Sequence, residues 1–228
     1  MPRTELIVAL DLDTVAQVDA MVAAIGPGVQ WYKVGKQLFT QEGPAVVKHL
    51  QKLGKRVFLD LKFHDIPNTV AQAVRAVAAI GADMTNVHAS GGRGMLEAAA
   101  AAARETQVLL IAVTVLTSMN EEELANVGVQ DSPGRQVVRL ARLTQQAGVA
   151  GVVCSALEIE AIRAACGPEF VLVVPGIRPA GVDHGDQKRV MTPREAATAG
   201  ADYIVVGRPI TKAPDPAAAA AAVWRELE

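Results

Sequence analysis

The sequence predicts a single-domain (β/α)8 barrel, a TIM barrel, over residues 1–228. Three observations predict it. Eight short runs rich in β-branched residues recur down the chain, alanine-rich amphipathic segments separate them, and glycine ends several of those segments just before the next run. Strands that alternate with helices require a parallel sheet, and eight such units favour closure into a barrel over an open sheet.

Taken in order, the predicted strands are residues 6–10, 29–34, 56–61, 84–87, 108–115, 151–153, 170–174 and 203–206. The helices between them show their spacing in sets such as Val70, Val74, Val77 and Ile80, or Val137, Leu140, Leu143 and Ala147. Gly54, Gly81, Gly148 and Gly200 stand where a helix needs a left-handed C-terminal cap. One phrase is repeated: Ala79-Ile80-Gly81-Ala82-Asp83 and Thr198-Ala199-Gly200-Ala201-Asp202 lie about 120 residues apart, as a unit-by-unit fold requires. Glu121-Glu122-Glu123 after Asn120 suits the first turn of a short helix, where acidic side chains meet the positive end of the dipole.

Composition removes several function classes. The 22 basic and 24 acidic residues leave a net charge of −2, with no positive excess to hold a nucleic acid. The apolar run after Met1-Pro2-Arg3-Thr4-Glu5 is too short for a signal-peptide core, and no uncharged stretch is long enough for a membrane span. Cys154 and Cys166 form neither a CxxC motif nor a zinc-ligand cluster, which fits a reduced, cytoplasmic setting and packing roles.

In a barrel of this kind the chemistry gathers where strands end and the following loops begin. Polar residues fall there: Asp11 after the first strand, Lys33 in the second, Asp60 and Lys62 in the third, His88 at the fourth, Thr117 after the fifth, and Gly207-Arg208 after the eighth. In Val57-Phe58-Leu59-Asp60-Leu61-Lys62 the period of two sets Leu59 and Leu61 toward the helices and Asp60 and Lys62 toward the barrel mouth. Asp65 adds a second carboxylate, and Lys33 from the adjoining strand can restore the balance. A structural salt bridge would need no substrate, but buried ion pairs contribute little net stability, so this cluster points to function. His64 and His88 are read as hydrogen-bonding, structural residues, and His49 and His184 as surface or lid residues.

The segment Asp60-Leu61-Lys62-Phe63-His64-Asp65-Ile66-Pro67-Asn68-Thr69 resembles the motif of the orotidine 5′-phosphate decarboxylases. The similarity extends to Val8-Ala9-Leu10-Asp11, Tyr32-Lys33-Val34-Gly35, Val115-Leu116-Thr117-Ser118, Pro175-Gly176-Ile177-Arg178 and Val206-Gly207-Arg208-Pro209-Ile210. The resemblance implies decarboxylation of orotidine 5′-monophosphate to UMP in pyrimidine biosynthesis, without metal or organic cofactor. It makes Lys62 the proton donor, and Lys33, Asp60 and Asp65 the rest of a charged tetrad. Asp11 and Lys33 would hold ribose hydroxyls, Thr117 the pyrimidine, and Arg178, Gln187, Gly207 and Arg208 the phosphate.

The resemblance further implies a homodimer in which Asp65 and Thr69 reach the partner subunit's site. The segment from Arg178 to Gln187, with glycines and no apolar period, reads as a lid over the phosphate. Two other readings stand beside this one. An enzyme similar to 3-keto-L-gulonate 6-phosphate decarboxylase would share Asp-x-Lys-x-x-Asp but use Mg2+, which Lys33 would repel. A silent phosphate-binding barrel would keep the fold without turnover.

Overall fold

A computed structural model describes residues 4–179 and 191–228. Gln187, His184 and nearly all of the expected lid lie outside the described residues. The described elements run in the order β1 (Glu5–Leu10), α1 (Val15–Ile25), β2 (Trp31–Gly35), α2 (Lys36–Glu42), α3 (Pro44–Lys52), β3 (Arg56–Phe63), α4 (Pro67–Ala79), β4 (Met84–His88), α5 (Gly92–Thr106) and β5 (Leu109–Val113). They continue with α6 (Glu121–Asn126), α7 (Pro133–Gln146), β6 (Gly151–Val153), α8 (Ile159–Cys166), β7 (Val171–Val174), α9 (Pro193–Ala199), β8 (Tyr203–Val206), α10 (Arg208–Thr211) and α11 (Pro216–Leu227).

The eight strands form a closed parallel barrel in chain order, with β8 pairing back onto β1. The expected (β/α)8 fold is therefore the observed one, and strand ends shift by only a few residues. The fifth strand ends at Val113, earlier than expected, and Thr114 follows it with both its N–H and its hydroxyl donating to the Val153 carbonyl, at 3.3 and 3.0 Å. The short α10, absent from the sequence reading, intervenes between Gly207 and the last helix.

Alternation along each strand divides the core in two. Ile7, Trp31, Phe58, Met84, Ile111 and Val173 fill the barrel interior, while Leu6, Val8, Leu10, Val34, Leu59 and Val57 pack outward against the helices. On α4 the buried residues are Val70, Ala71, Val74 and Val77, the stripe that the helical spacing predicts. Each fully buried Val or Leu contributes about 1.5–3 kcal/mol, so the two layers together hold the mouth rigid.

The repeated phrase has one physical role in both places. Asp83, just before β4, accepts the N–H of Val57 at 2.8 Å and pairs with Arg56; Asp202, just before β8, accepts the N–H of Leu172 at 2.7 Å and pairs with Arg163. Each carboxylate thus takes a strand-start donor from the neighbouring strand, at the end of the barrel away from the mouth. The glycines before them, Gly81 and Gly200, have φ of 92° and 106°, the left-handed turn expected of a helix cap.

Candidate active site

The site begins with an irregularity in β3. Between the pairs Leu59–Thr85 and Phe63–Val87, β3 advances four residues (63 − 59) while β4 advances two (87 − 85). This bulge lifts two backbone groups of β3 out of the regular ladder, where burial would leave them costly to orphan. Side chains of β4 take them instead. The Thr85 hydroxyl donates to the Leu59 carbonyl at 3.0 Å, and Asn86 Oδ1 accepts the Lys62 N–H at 2.8 Å.

Lys62 sits in the bulge with φ 56°, one of two non-glycine residues with positive φ among those described. Such a conformation costs about 1–3 kcal/mol and persists where surroundings over-determine it, as functional sites often do. Its ammonium reaches Asp60 Oδ1 at 2.5 Å. The expectation that Asp60 and Lys62 meet at the mouth is met, but by a twisted bulge rather than by simple alternation.

Asp60 is the centre of the cluster. Oδ1 accepts from Lys62 Nζ and from Asn86 Nδ2, the latter at 2.8 Å, while Oδ2 faces Lys33 Nζ at 3.4 Å. Lys33 Nζ also lies 3.3 Å from Asp11 Oδ1. Gly35 leaves the room for this ammonium, since a Cβ there would approach it to 3.1 Å. Burial opposes the charge on Asp60, but the ammoniums of Lys33 and Lys62 and the hydrogen bonds from Lys62 and Asn86 outweigh it, holding the carboxyl below its usual range.

That direction fixes a dependence on pH. A carboxyl whose folded pKa is depressed contributes stability above the unfolded value near 3.9, and loses it as pH falls through the folded pKa. The expected result is a steeper loss of stability in acid for the native chain than for Asp60→Asn. Urea unfolding between pH 3 and 7 measures it, and parallel curves for the two proteins would contradict the ion-paired carboxylate.

Lys33, Asp60, Lys62, Asn86 and Thr117 form the polar side of a cavity of about 200 Å³. Its other side is apolar, from Phe58, Val113, Val153, Val173 and Val205. Fixed charges against such a wall act in a poorly screened space, which strengthens their effect on any charge that develops there. The cavity suits one flat, mostly apolar ring with a polar edge.

The remaining expected residues divide by position. Asp11 and Gly207 lie side by side at the rim, a Cβ on Gly207 falling 3.8 Å from Asp11 Oδ2. Arg208 opens α10, exposed, directly after β8, and Arg178 is buried just after β7. Asp65 and Thr69 are exposed in the loop after β3 and the first turn of α4; Asp65 bonds the Ile66 N–H at 2.6 Å and, among the described residues, makes no ion pair with Lys62 of its own chain.

The histidines at the mouth, His64 and His88, have ring centres 5.6 Å apart. Burial first, then the nearby His64, Lys36 and Lys62, hold His88 below its ordinary pKa, which favours the neutral ring. His49 is partly exposed and bonds Asp19 at 2.5 Å. Burial, reinforced by Glu158, pushes the Cys154 thiol up, and burial also raises Cys166; both are free thiols and poor nucleophiles at neutral pH.

Sequence reasoning missed Asn86. Its signal was nonetheless present: an amide inside the short strand Met84–His88, in step with inward-facing Met84, is out of place in an apolar barrel unless it has fixed partners.

A profile of the Orotidine 5′-phosphate decarboxylase / HUMPS family matches residues 4–223. The chain belongs to this family. Curated relatives named orotidine 5′-phosphate decarboxylase include one from Moorella thermoacetica, 54% identical over 99% of this chain and 93% of the relative, and one from Chromohalobacter salexigens, 56% identical over 98% and 96%.

Within the Orotidine 5′-phosphate decarboxylase / HUMPS family, a solved structure of the orotidine 5′-phosphate decarboxylase from Lactobacillus acidophilus superposes with a TM-score of 0.88 at 40% identity, covering 99% of each chain. An uncharacterized conserved protein from Geobacillus kaustophilus gives 0.86 at 39% identity, over 98% of this chain and 100% of the other. No helix among the described residues is long and apolar enough to cross a membrane.

Proposed function

We propose that this chain converts orotidine 5′-monophosphate to UMP and CO2 in pyrimidine biosynthesis, with Lys62 as the group that meets the reacting carbon. Breaking the bond from C6 to the carboxylate releases CO2 and leaves an electron pair in the ring plane, orthogonal to the π system. Ring resonance cannot disperse that charge. A fixed ammonium beside C6 stabilises it without solvent reorganisation and then gives it a proton, forming the C–H bond of UMP and leaving a neutral amine that solvent re-protonates.

The observation that carries this reading is the Lys62 ammonium held 2.5 Å from Asp60 at the edge of the apolar cavity, with Lys33 on the other carboxylate oxygen. Asp60 keeps Lys62 cationic, since adjacent negative charge favours the protonated amine. It also opposes the substrate carboxylate until CO2 departs.

In this assignment Asp11 and Lys33 hold ribose hydroxyls and Thr117 the pyrimidine edge, while Gly207, Arg208, Arg178 and Gln187 hold the phosphate. The position of Gly207-Arg208 after β8 supports this, because barrels of this class bind phosphate in the loops after their last two strands. Binding the phosphate supplies energy that orders the remote reacting centre. The working unit is a cytoplasmic homodimer in which Asp65 and Thr69 complete the partner's tetrad and binding site.

The deciding measurement follows loss of orotidine absorbance with the purified chain, with and without EDTA. Turnover that survives chelation is expected. Loss of turnover with EDTA would favour a Mg2+-dependent enzyme, and absence of turnover in both would overturn the assignment in favour of the sugar-phosphate decarboxylase or the silent phosphate binder.

A further inference from the structure

We propose that Asn86 is a positioning residue for the decarboxylation, acting through Asp60 and Lys62 together. The inference rests on the reaction assigned above, and the residue itself belongs to β4 rather than to the charged motif. Asn86 is 1% exposed, so neither end of its amide has water to fall back on.

The two ends are matched to opposite partners. Oδ1 accepts from the Lys62 N–H, and Nδ2 donates to Asp60 Oδ1, both at 2.8 Å. The reversed amide would set an oxygen against a carboxylate and an NH2 against an N–H, so the orientation is fixed by its neighbours. One rigid group therefore holds the main chain of Lys62 at φ 56° and turns the carboxylate that receives the Lys62 ammonium. Main chain and side-chain partner of the same lysine are tied to one point on β4.

That double tie has a consequence for chemistry. The lysine side chain has four rotatable bonds, and its ammonium stays put only if both its root and its tip are restrained. Asp60 restrains the tip, but Asp60 is itself shared between Lys62 on one oxygen and Lys33 on the other. The donor from Asn86 adds to the Lys62 side and biases the carboxylate toward the reacting end. Thr85 patches the same bulge through the Leu59 carbonyl but touches no charged group, so the link to the ammonium belongs to Asn86.

The test compares Asn86→Leu, which keeps the branching at Cγ and removes both hydrogen bonds, with Asn86→Asp, which keeps the acceptor and replaces the donor by a titratable group. Active sites are counted by calorimetric titration with UMP, and kcat and KM for orotidine 5′-monophosphate are measured from pH 5.5 to 8.5. Asp60 and Lys62 from β3 bond the replaced amide, Lys33 from β2 lines the same cavity, His88 from β4 interacts with Asp60 and Lys62, and the β5 residue paired with position 86 is the apolar Ile111.

At pH 8 both variants are expected to lose about 100-fold in kcat per site with KM within about threefold, because a small displacement of a reacting group costs on that scale. As pH falls, protonation of the introduced carboxyl restores a donor toward Asp60. The deficit of Asn86→Asp should then narrow by about tenfold or more, while that of Asn86→Leu stays constant.

A kcat for Asn86→Leu within about threefold of the native value, or a loss confined to the number of UMP sites, overturns the proposal. If Asn86→Leu does not fold, Asn86→Asp alone decides: a deficit that is the same at every pH overturns it too. Inactivity of the native chain would instead overturn the reaction on which the proposal rests.

Discussion

Lys62→Ala is expected to lower kcat for orotidine 5′-monophosphate by at least about 10⁴-fold, since one side chain supplies both the electrostatic stabilisation and the proton. The two contributions are lost together because they reside in the same nitrogen. Binding should survive. Asp60 keeps Lys33 at 3.4 Å and Asn86 at 2.8 Å, so the carboxylate is not left without partners, and ribose and phosphate contacts are assigned to other residues.

Alanine also separates charge from backbone. Like lysine, it carries a Cβ and bears the same penalty at φ 56°, so the fold should change little while the ammonium disappears. Calorimetry with UMP and stopped assays of CO2 release on the same preparation measure both quantities. A variant that keeps kcat within tenfold of the native chain removes Lys62 from the proton-donor role, and one that loses UMP binding in proportion shows that the lysine serves binding instead.

Much of this site was legible in the residues, because local patterns fix which elements form. The period-two run Val57-Phe58-Leu59-Asp60-Leu61-Lys62 told which side chains face the helices, and Leu59 and Leu61 do pack there. The glycine-alanine-aspartate phrases foretold two equivalent corners, and both hold a neighbouring strand's first N–H.

What stayed hidden depends on distant partners. Strand alternation cannot foresee a bulge whose orphaned groups are taken by Thr85 and Asn86, more than twenty residues away in the chain. The left-handed Lys62 follows from that bulge, and nothing in Leu-Lys-Phe announces it. The place of Asp65 was open for a further reason. Spacing put a carboxylate three residues from Lys62, yet Asp65 is exposed and bonds the N–H of Ile66 in its own loop.

That exposure bears on the second large effect. Asp65 and Thr69 stand on an exposed rim beside Ile66, an apolar side chain 67% exposed. In a two-fold dimer each site would combine Lys62 of one subunit with Asp65 of the other. Lys62→Ala and Asp65→Ala dimers should each be nearly inactive, since every site in either lacks one member of the tetrad.

Mixed subunits change the count. A hybrid dimer has one site with both defects and one with none, and random pairing makes half of the dimers hybrid, so an equal mixture should recover about a quarter of native activity. Co-expression with two different affinity tags isolates the hybrid, which should then show about half of the native rate per dimer. Mixtures that remain as inactive as their parents, in a preparation where tandem purification proves that hybrids formed, would place Asp65 and Lys62 in the same subunit's site and require the loop after β3 to fold back over its own barrel.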